Sequence, residues 1–573
     1  MKWLKRQTNE RVLQKASETL DGVLPYVVAK RLKDVDNIDA FLAADSFDFA
    51  DPFKMKDFSK GVDRLFEALE RNEHITISCD YDADGLGAAS ILKKGLNLIG
   101  FRLTNLEIIV SERYNGGYGF NKAVCDKIIE NPNSSLVITV DQGSSDHVQI
   151  ERLISSRSDV DIIVTDHHHV PEITPDKALA FINPNREDDR YPHKDICGAI
   201  VALLLISAVI DKIDPTIDRS KLFDIGAIST IGDMMPLDSL VNRFIVKSSL
   251  ARMKHNPSPF WRVIMENYPI NEETVGFYLG PRINAFSRMG VDPSIVIEFL
   301  TTDVRVKAQK IWDKMTEVND QRKELNKSLK KDAELSLSTG GYDQKNSISV
   351  FLEDGASGLT GIVASNLKES TGKPSICFCP KHGDPDMITG SGRSVSGIDI
   401  RKCVMEAIEG LEDANGGGHP AACGLTIKRA DFNLFSELFE KSVNEKMAAN
   451  NIGKLEPVIE FDAVFNQFVS LEFVHSINKL APFGMGFEKP IFAYKGYIDQ
   501  VGFMGEDSKH ARFVLDKGDQ RLNCVLFNHQ EMLDFDLKAL HNGQEIYVIG
   551  DLNINKFRGE ENLQIMVKAL KAI

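Results

Sequence analysis

No apolar run in these 573 residues is long enough to cross a bilayer. The longest, GAIVALLLISAVI at 198–210, is bounded by Asp195 and Asp211 and reads as a buried helix, because a span needs about 20 apolar residues. The basic opening MKWLKRQTNERVLQK has no apolar stretch behind it, so a secretion leader is not expected and a cytoplasmic location is. Cysteine is scarce: eight residues with no CxxC pair, mostly inside apolar segments. That argues against a disulfide framework or structural zinc and for reduced, buried thiols. Positive charge is in deficit, with 68 Lys and Arg against 83 Asp and Glu, a net charge of −15. A general nucleic-acid coat is disfavoured, since neutralising phosphate takes Lys and Arg, while a local basic groove remains open. Carboxylates clustered to receive cations would also push the count negative. Repeats and low-complexity tracts are missing.

The length implies three or four domains. Residues 1–50 read as a helical region without identifiable chemistry. In 51–300, HITISC (74–79), SLVITV (135–140) and DIIVT (161–165) are short β-branched runs alternating with helical stretches. That pattern predicts an α/β domain built on a parallel sheet. Residues 294–339 hold no Gly or Pro and are densely charged, which predicts a long connecting helix over about 301–340. A second α/β region follows at 341–447, with strands near SISVFL and PSICFC. After the polar break AANNIGKLEP, residues 457–573 alternate in short strands, as a small β-barrel would.

Chemistry concentrates at the ends of the apolar runs. In CDYDADGLGAAS (79–90), Asp80, Asp82 and Asp84 alternate, and on an extended segment they project to one side. Gly85 and Gly87 would let the backbone turn into a helix; a merely capped acidic loop is the plainer alternative. VITVDQGSSD adds Asp141, VTDHHHVPE adds Asp166, His167, His168 and His169, and STIGDMMPLD adds Asp233. The expectation is four acidic strand ends converging beyond the sheet, where open α/β sheets bind ligands. Mixed carboxylate and imidazole donors without thiolate suit Mn²⁺ or Mg²⁺. The donors are too many for one ion that must keep an open position, and two ions sharing a carboxylate is an arrangement used on phosphoesters.

The ordered run DYDADG, VDQG, TDHHH and GDMMPL resembles the four-motif signature of the DHH phosphoesterase superfamily. GPRINAFSR (280–288), GSGRS (390–394), GGGHPAACGL (416–425), APFGMGFEKPIF and FRGEENLQI resemble its RecJ branch, and the likeness covers about 74–573. The resemblance implies a DHH catalytic domain, a DHHA1-type substrate-binding domain and a C-terminal OB-fold. It implies an exonuclease degrading single-stranded DNA in the 5′ to 3′ direction to 5′-mononucleotides with two Mn²⁺ or Mg²⁺ ions, in recombination and repair. Carried over by motif, Asp82, Asp84, Asp141, His167 and Asp233 are metal ligands, with Asp141 bridging. Asp80 assists one metal or its waters, His168 touches the scissile phosphate, and Asp166 orients the ring of a ligand histidine; His169 has no role. Arg113 faces the 5′ end, Arg282 and Arg288 the backbone near the cleaved bond. Ser391, Arg393, Ser394, Gly417, Gly418 and His419 hold the substrate, the glycines standing ahead of a helix. Tyr114 and Tyr118 stack on bases or pack in the core. Lys509, Arg512, Lys556 and Arg558 would give the barrel a basic groove. A single-strand-binding protein or a helicase is the candidate protein partner, with a monomeric state and no membrane.

The chain departs from the family pattern at Gln142, at Phe286–Ser287 and over Asp354–Thr360, and its glycine–histidine motif reads GGGHPAACG. No departure removes a ligand. Two other classes compete: small DHH enzymes acting on short oligoribonucleotides or cyclic dinucleotides, and non-catalytic scaffolds that have lost ligands. The barrel and linking helix argue against the first, the intact ligand set against the second.

Overall fold

The computed structural model describes residues 1–33, 38–44, 49–505, 508–529, 542–557 and 559–572; Arg558 lies outside them. The chain divides into two compact units, Ala43–Ser328 and Met1–Leu42 with Leu329–Ile573.

In the first unit, a five-stranded parallel sheet runs in the order Leu106–Val110, Ile75–Cys79, Leu136–Val140, Asp161–Thr165, Ala180–Ile182. Ile75–Cys79 and Leu136–Val140 are buried throughout, as strands covered on both faces must be. Val137, Ile162 and Val164 pack with Val124, Ile128, Ile150 and Leu153 from two helices on one face. The all-apolar stretch predicted as a helix forms Gly198–Ile213, packed with the Ala83–Leu98 helix. The strand Leu106–Val110, half-buried at the sheet edge, and the three-residue Ala180–Ile182 carried too little apolar pattern to stand out in the sequence.

This order matters for function. From Ile75–Cys79 the chain crosses to one side, to Leu106–Val110, and then back to the other, to Leu136–Val140. The reversal opens a crevice beyond the carboxyl ends of the two central strands. Register sets what lies there: Cys79 pairs with Val140 and Val140 with Thr165, so Asp80, Asp141 and Asp166 each follow the last paired residue at one level.

The long charged stretch is helical over Arg305–Thr339, but Ser294–Thr301 is a separate helix. In the second unit, a mixed sheet runs Asn415–His419, Ala422–Lys428, Asp384–Arg393, Ser375–Lys381, Ile348–Phe351 over a core including Phe378, Phe435 and Phe439. Phe492–Met504, His510–Asp516, Arg521–Leu526, Glu560–Ala572 and Glu545–Phe557 close into a five-stranded barrel through pairing of the first with the last.

The opening residues correct the helical expectation in part. Helices Glu10–Ala16, Leu24–Ala29 and Ile38–Ala43 form, but Lys2–Lys5 is a strand pairing in parallel with Val458–Phe461. Trp3 packs beside Ala493, Ile549 and Ala569, an apolar anchor that outweighs local helical preference. Arg31 meets Asp462 through two buried hydrogen bonds of 2.7 and 3.0 Å and tightens the same attachment. All eight cysteines are buried and free. Among the described residues no helix is long and apolar enough to cross a membrane.

Candidate metal centre

Asp80 leaves the strand end, and Asp82 then caps the Ala83–Leu98 helix, accepting from the Asp84 and Gly85 amides at 2.9 and 3.2 Å. The three carboxylates therefore converge through a strand-to-helix turn and not along an extended segment. Asp84, already helical, accepts from the Gly198 and Ala199 amides at 2.6 and 2.9 Å and so also caps the Gly198–Ile213 helix. Gly85 and Gly87 lie inside the helix and supply clearance rather than a turn: a Cβ on Gly85 would stand 2.5 Å from the Asp80 carbonyl oxygen.

Asp141 has φ +57°, the left-handed region that a residue with a Cβ rarely adopts, and such strain concentrates at functional sites. A Cβ on Gly198 would lie 2.7 Å from that of Asp141, so only glycine admits the approach. Asp233 corrects the fourth expected strand end, because FDIGAISTIG is the last part of the helix Ser220–Gly232 and Asp233 is its C-cap.

The expected ligands meet in one place. His167 Nε2 lies 3.2 Å from Asp141 Oδ1, 3.5 Å from Asp233 Oδ2 and 3.6 Å from Asp84 Oδ2. His167 Nε2, Asp141 Oδ1 and Asp233 Oδ2 are all buried without a hydrogen-bond partner. Donor atoms of Asp80, Asp82 and Asp141 lie within 4.8 Å of one another, as do those of Asp84, His167 and Asp233. Burial first, then neighbouring carboxylates, pushes Asp80 and Asp233 up to about 8 and raises Asp82 and Asp141 as well. Burial lowers His167, leaving a neutral imidazole with a lone pair. Unpartnered oxygens held against a neutral imidazole suit a divalent cation, which would satisfy them and offset their repulsion.

Donor atoms of Asp141, His167 and His168 also fall within 4.8 Å, but His168 Nδ1 is taken by Asp166 Oδ1 at 2.8 Å. Here the expectation for Asp166 is corrected: it orients His168, not the ligand His167. Asp166 also accepts from the backbone amides of His167 and Ser144 at 2.7 and 3.0 Å. Burial works against charge on both partners, yet their contact wins, lowering Asp166 and raising His168 to about 9. A charged imidazolium, partly open to solvent, therefore stands at the rim, with the Tyr118 hydroxyl 3.2 Å from its ring nitrogens. Tyr118 is thus a neighbour of the site. Ser111, which donates to Asp80 at 2.8 Å, was missed, as were Ser144, Asn183 and Asn185. The turn signal NPN directly after an apolar run was the available clue to the last two.

The Arg113 guanidinium lies over the Tyr81 ring, 4.4 Å from its centroid. Tyr114 donates to the Arg288 carbonyl at 2.8 Å. Arg282 is nearly buried, donates to Thr316 Oγ1 and the Tyr278 carbonyl, and rests on Trp312; it is packed inward.

In the second unit, GGGHPAACG is a hairpin and not the start of a helix. Asn415–His419 pairs with Ala422–Lys428, because Gly416 must lie against Ile408 and Val404, and Gly418, at φ +134°, against the facing backbone. Pairing places Gly417, Gly424 and Ser391 in one row and His419, Ala422 and Arg393 two rows on, on the same face. Arg393 and Ser391 face the helix Ser357–Thr371, where a Cβ on Gly361 would come 2.8 Å from the guanidinium. Ser394 donates to the Ile398 carbonyl and shapes the adjoining loop.

Family models match in chain order: the DHH family N-terminal domain over 74–228, the DHHA1 domain over 345–445 and the RecJ OB domain over 463–569. The chain belongs to the RecJ branch of the DHH phosphoesterases. It is 28% identical over 581 residues to the single-stranded-DNA-specific exonuclease RecJ of Bacillus subtilis, covering 99% of this chain and 70% of that one. To the Escherichia coli RecJ it is 27% identical, covering 89% of each. The Mn²⁺ complex of RecJ from Thermus thermophilus shares the fold at a TM-score of 0.79 and 24% identity, covering 100% of this chain and 80% of that one. An exonuclease RecJ bound to manganese superposes at a TM-score of 0.58 and 28% identity, covering 69% and 96%.

Proposed function

We propose that this RecJ-family chain is a two-metal exonuclease that degrades single-stranded DNA from its 5′ end to 5′-mononucleotides in recombination and repair. The observation carrying the proposal is the pair of donor sets at one crevice, Asp80 and Asp82 on one side and Asp84, His167 and Asp233 on the other, with Asp141 between them. The names of its relatives as single-stranded-DNA-specific exonucleases, and the RecJ structures with Mn²⁺ and Mg²⁺, support the substrate and the ions.

Those side chains would hold Mn²⁺ or Mg²⁺, which when bound stabilises phosphoryl charge and lowers the pKa of water. The chain itself supplies position and charge. Asp166 holds His168 protonated, an imidazolium suited to a non-bridging oxygen of the scissile phosphate. Within the second unit, Arg393, with Ser391 and the His419 hairpin, is assigned the terminal 5′-phosphate; within the first, Arg113 is assigned the substrate's 5′ end. The barrel is assigned the trailing strand. The setting is the cytoplasm, the working state a monomer, and the protein partner a single-strand-binding protein or a helicase.

The test is 5′- or 3′-end-labelled single-stranded DNA and RNA incubated with Mn²⁺ or Mg²⁺ and resolved by length. Mononucleotide carrying the 5′ label should be the earliest product from DNA. First release of 3′ label, or internal cuts, would overturn the polarity.

A further inference from the structure

Asn183 is completely buried in the loop that follows the edge strand Ala180–Ile182. Burying a carboxamide is unfavourable unless its hydrogen-bonding capacity is met. Here both amide hydrogens and the carbonyl oxygen are engaged by one neighbourhood. Its Nδ2 donates to Ser144 Oγ and to the His168 carbonyl, each at 2.9 Å, and its Oδ1 accepts the Asn185 amide at 2.8 Å. Asn185 in turn donates from Nδ2 to the His167 carbonyl at 2.5 Å. The ring closes through Asp166, which accepts the Ser144 amide and gives its own amide to the Ile182 carbonyl, both at 3.0 Å. The two asparagines thus hold the carbonyls of two consecutive residues whose side chains point to different tasks.

We propose that Asn183 and Asn185 are separate positioning residues, Asn185 for the metal-facing ring of His167 and Asn183 for the phosphate-facing ring of His168. The proposal rests on the two-metal function above. The cause is geometric: a peptide carbonyl fixed at 167 or 168 fixes the backbone dihedrals that aim the adjacent imidazole. Partners one step removed from a ligand commonly change metal affinity or activity by about 10–100-fold when removed. The split follows from which carbonyl each asparagine holds.

Asn185 is exposed, so Asn185→Ala disturbs no core packing. In the full-length protein, Asn185→Ala should weaken Mn²⁺ binding by roughly 10–100-fold by calorimetry, with excess Mn²⁺ restoring kcat to near wild type. Asn183→Ala should leave Mn²⁺ affinity near wild type yet lower kcat at saturating Mn²⁺ by about 10-fold or more, with no rescue by metal. If Asn183→Ala does not fold, Asn183→Asp keeps the shape and the acceptor for Asn185 while removing the donors to Ser144 and to the His168 carbonyl, and the same kcat loss is expected. Unchanged Mn²⁺ affinity in Asn185→Ala would overturn the assignment. So would a fall in thermal stability shared by both variants without the split between affinity and kcat. Asp141→Ala separates this inference from its foundation: if that protein binds Mn²⁺ like wild type, the metal assignment itself fails.

Discussion

Asp141 Oδ1 and His167 Nε2 stand 3.2 Å apart, both buried, and neither has a hydrogen-bond partner. Burial disfavours the imidazolium form of His167 that would pair with a carboxylate, so the contact is not held as an ion pair. Because Asp141 lies between both donor sets, Asp141→Ala should abolish cleavage with either ion. Binding of single-stranded DNA should survive or improve as negative charge is lost. Near-wild-type cleavage by this variant, measured on labelled strands, would remove the two-metal assignment.

The same crowding sets a pH dependence. Asp80 and Asp233 rise to about 8, so between about 4 and 8 the metal-free fold binds protons that the unfolded chain does not. Stability of the metal-free protein should therefore fall as pH climbs through that window. His168, raised to about 9, works in the same direction from about 6.5 upward. Mn²⁺ should remove most of the fall, with protons released on binding below pH 8. Thermal melts at pH 5 and 8, with chelator and with Mn²⁺, measure both effects. A metal-free Tm that rises over this interval would contradict the charge crowding.

At the proposed end pocket, each well-formed Arg–phosphate contact contributes about 1.5–3 kcal/mol. Arg393→Ala should lower activity on 5′-phosphorylated strands by about 10- to 100-fold and spare 5′-hydroxyl strands. Equal losses on the two substrates would assign Arg393 to the fold alone.

For the barrel, removing everything after 457 would also strip Lys2–Lys5 and Arg31 of their partners, so surface substitutions are the sharper test. Lys509 and Arg512 are exposed, whereas Lys556 is paired with Glu561. Replacing Lys509 and Arg512 by Ala should weaken long single strands more than di- or trinucleotides. The dependence of log K on log salt should become shallower by about 0.7 per lost phosphate contact. An unchanged salt slope would place the strand elsewhere.

The Arg31–Asp462 pair predicts stability. Its side chains are 0% and 2% exposed, and removing one partner leaves a buried charge uncompensated, a loss of about 3–5 kcal/mol. Asp462→Ala should show this in urea melts of the full chain, while cleavage of dinucleotides by folded protein stays unchanged.

The sequence by itself determined the sheet domain, the barrel and the ligand chemistry. Short β-branched runs alternating with helical stretches favour buried strands in a parallel sheet, and carboxylates and imidazoles gather densely at the ends of those runs. Its errors lay where local pattern and packing disagree. FDIGAISTIG could belong to a strand or a helix until the helices beneath it were placed, and GGGHPAACG was legible as a turn but not as a hairpin. Only the tertiary structure decided that Asp166 serves His168 and that Asp84 caps a helix more than a hundred residues away. Strand order was decided there too, bringing Asp80 and Asp141 side by side at the reversal of the sheet. Those relations depend on register and on long-range hydrogen bonds, which follow from the packing of the whole unit and leave no periodic trace in the residues that make them.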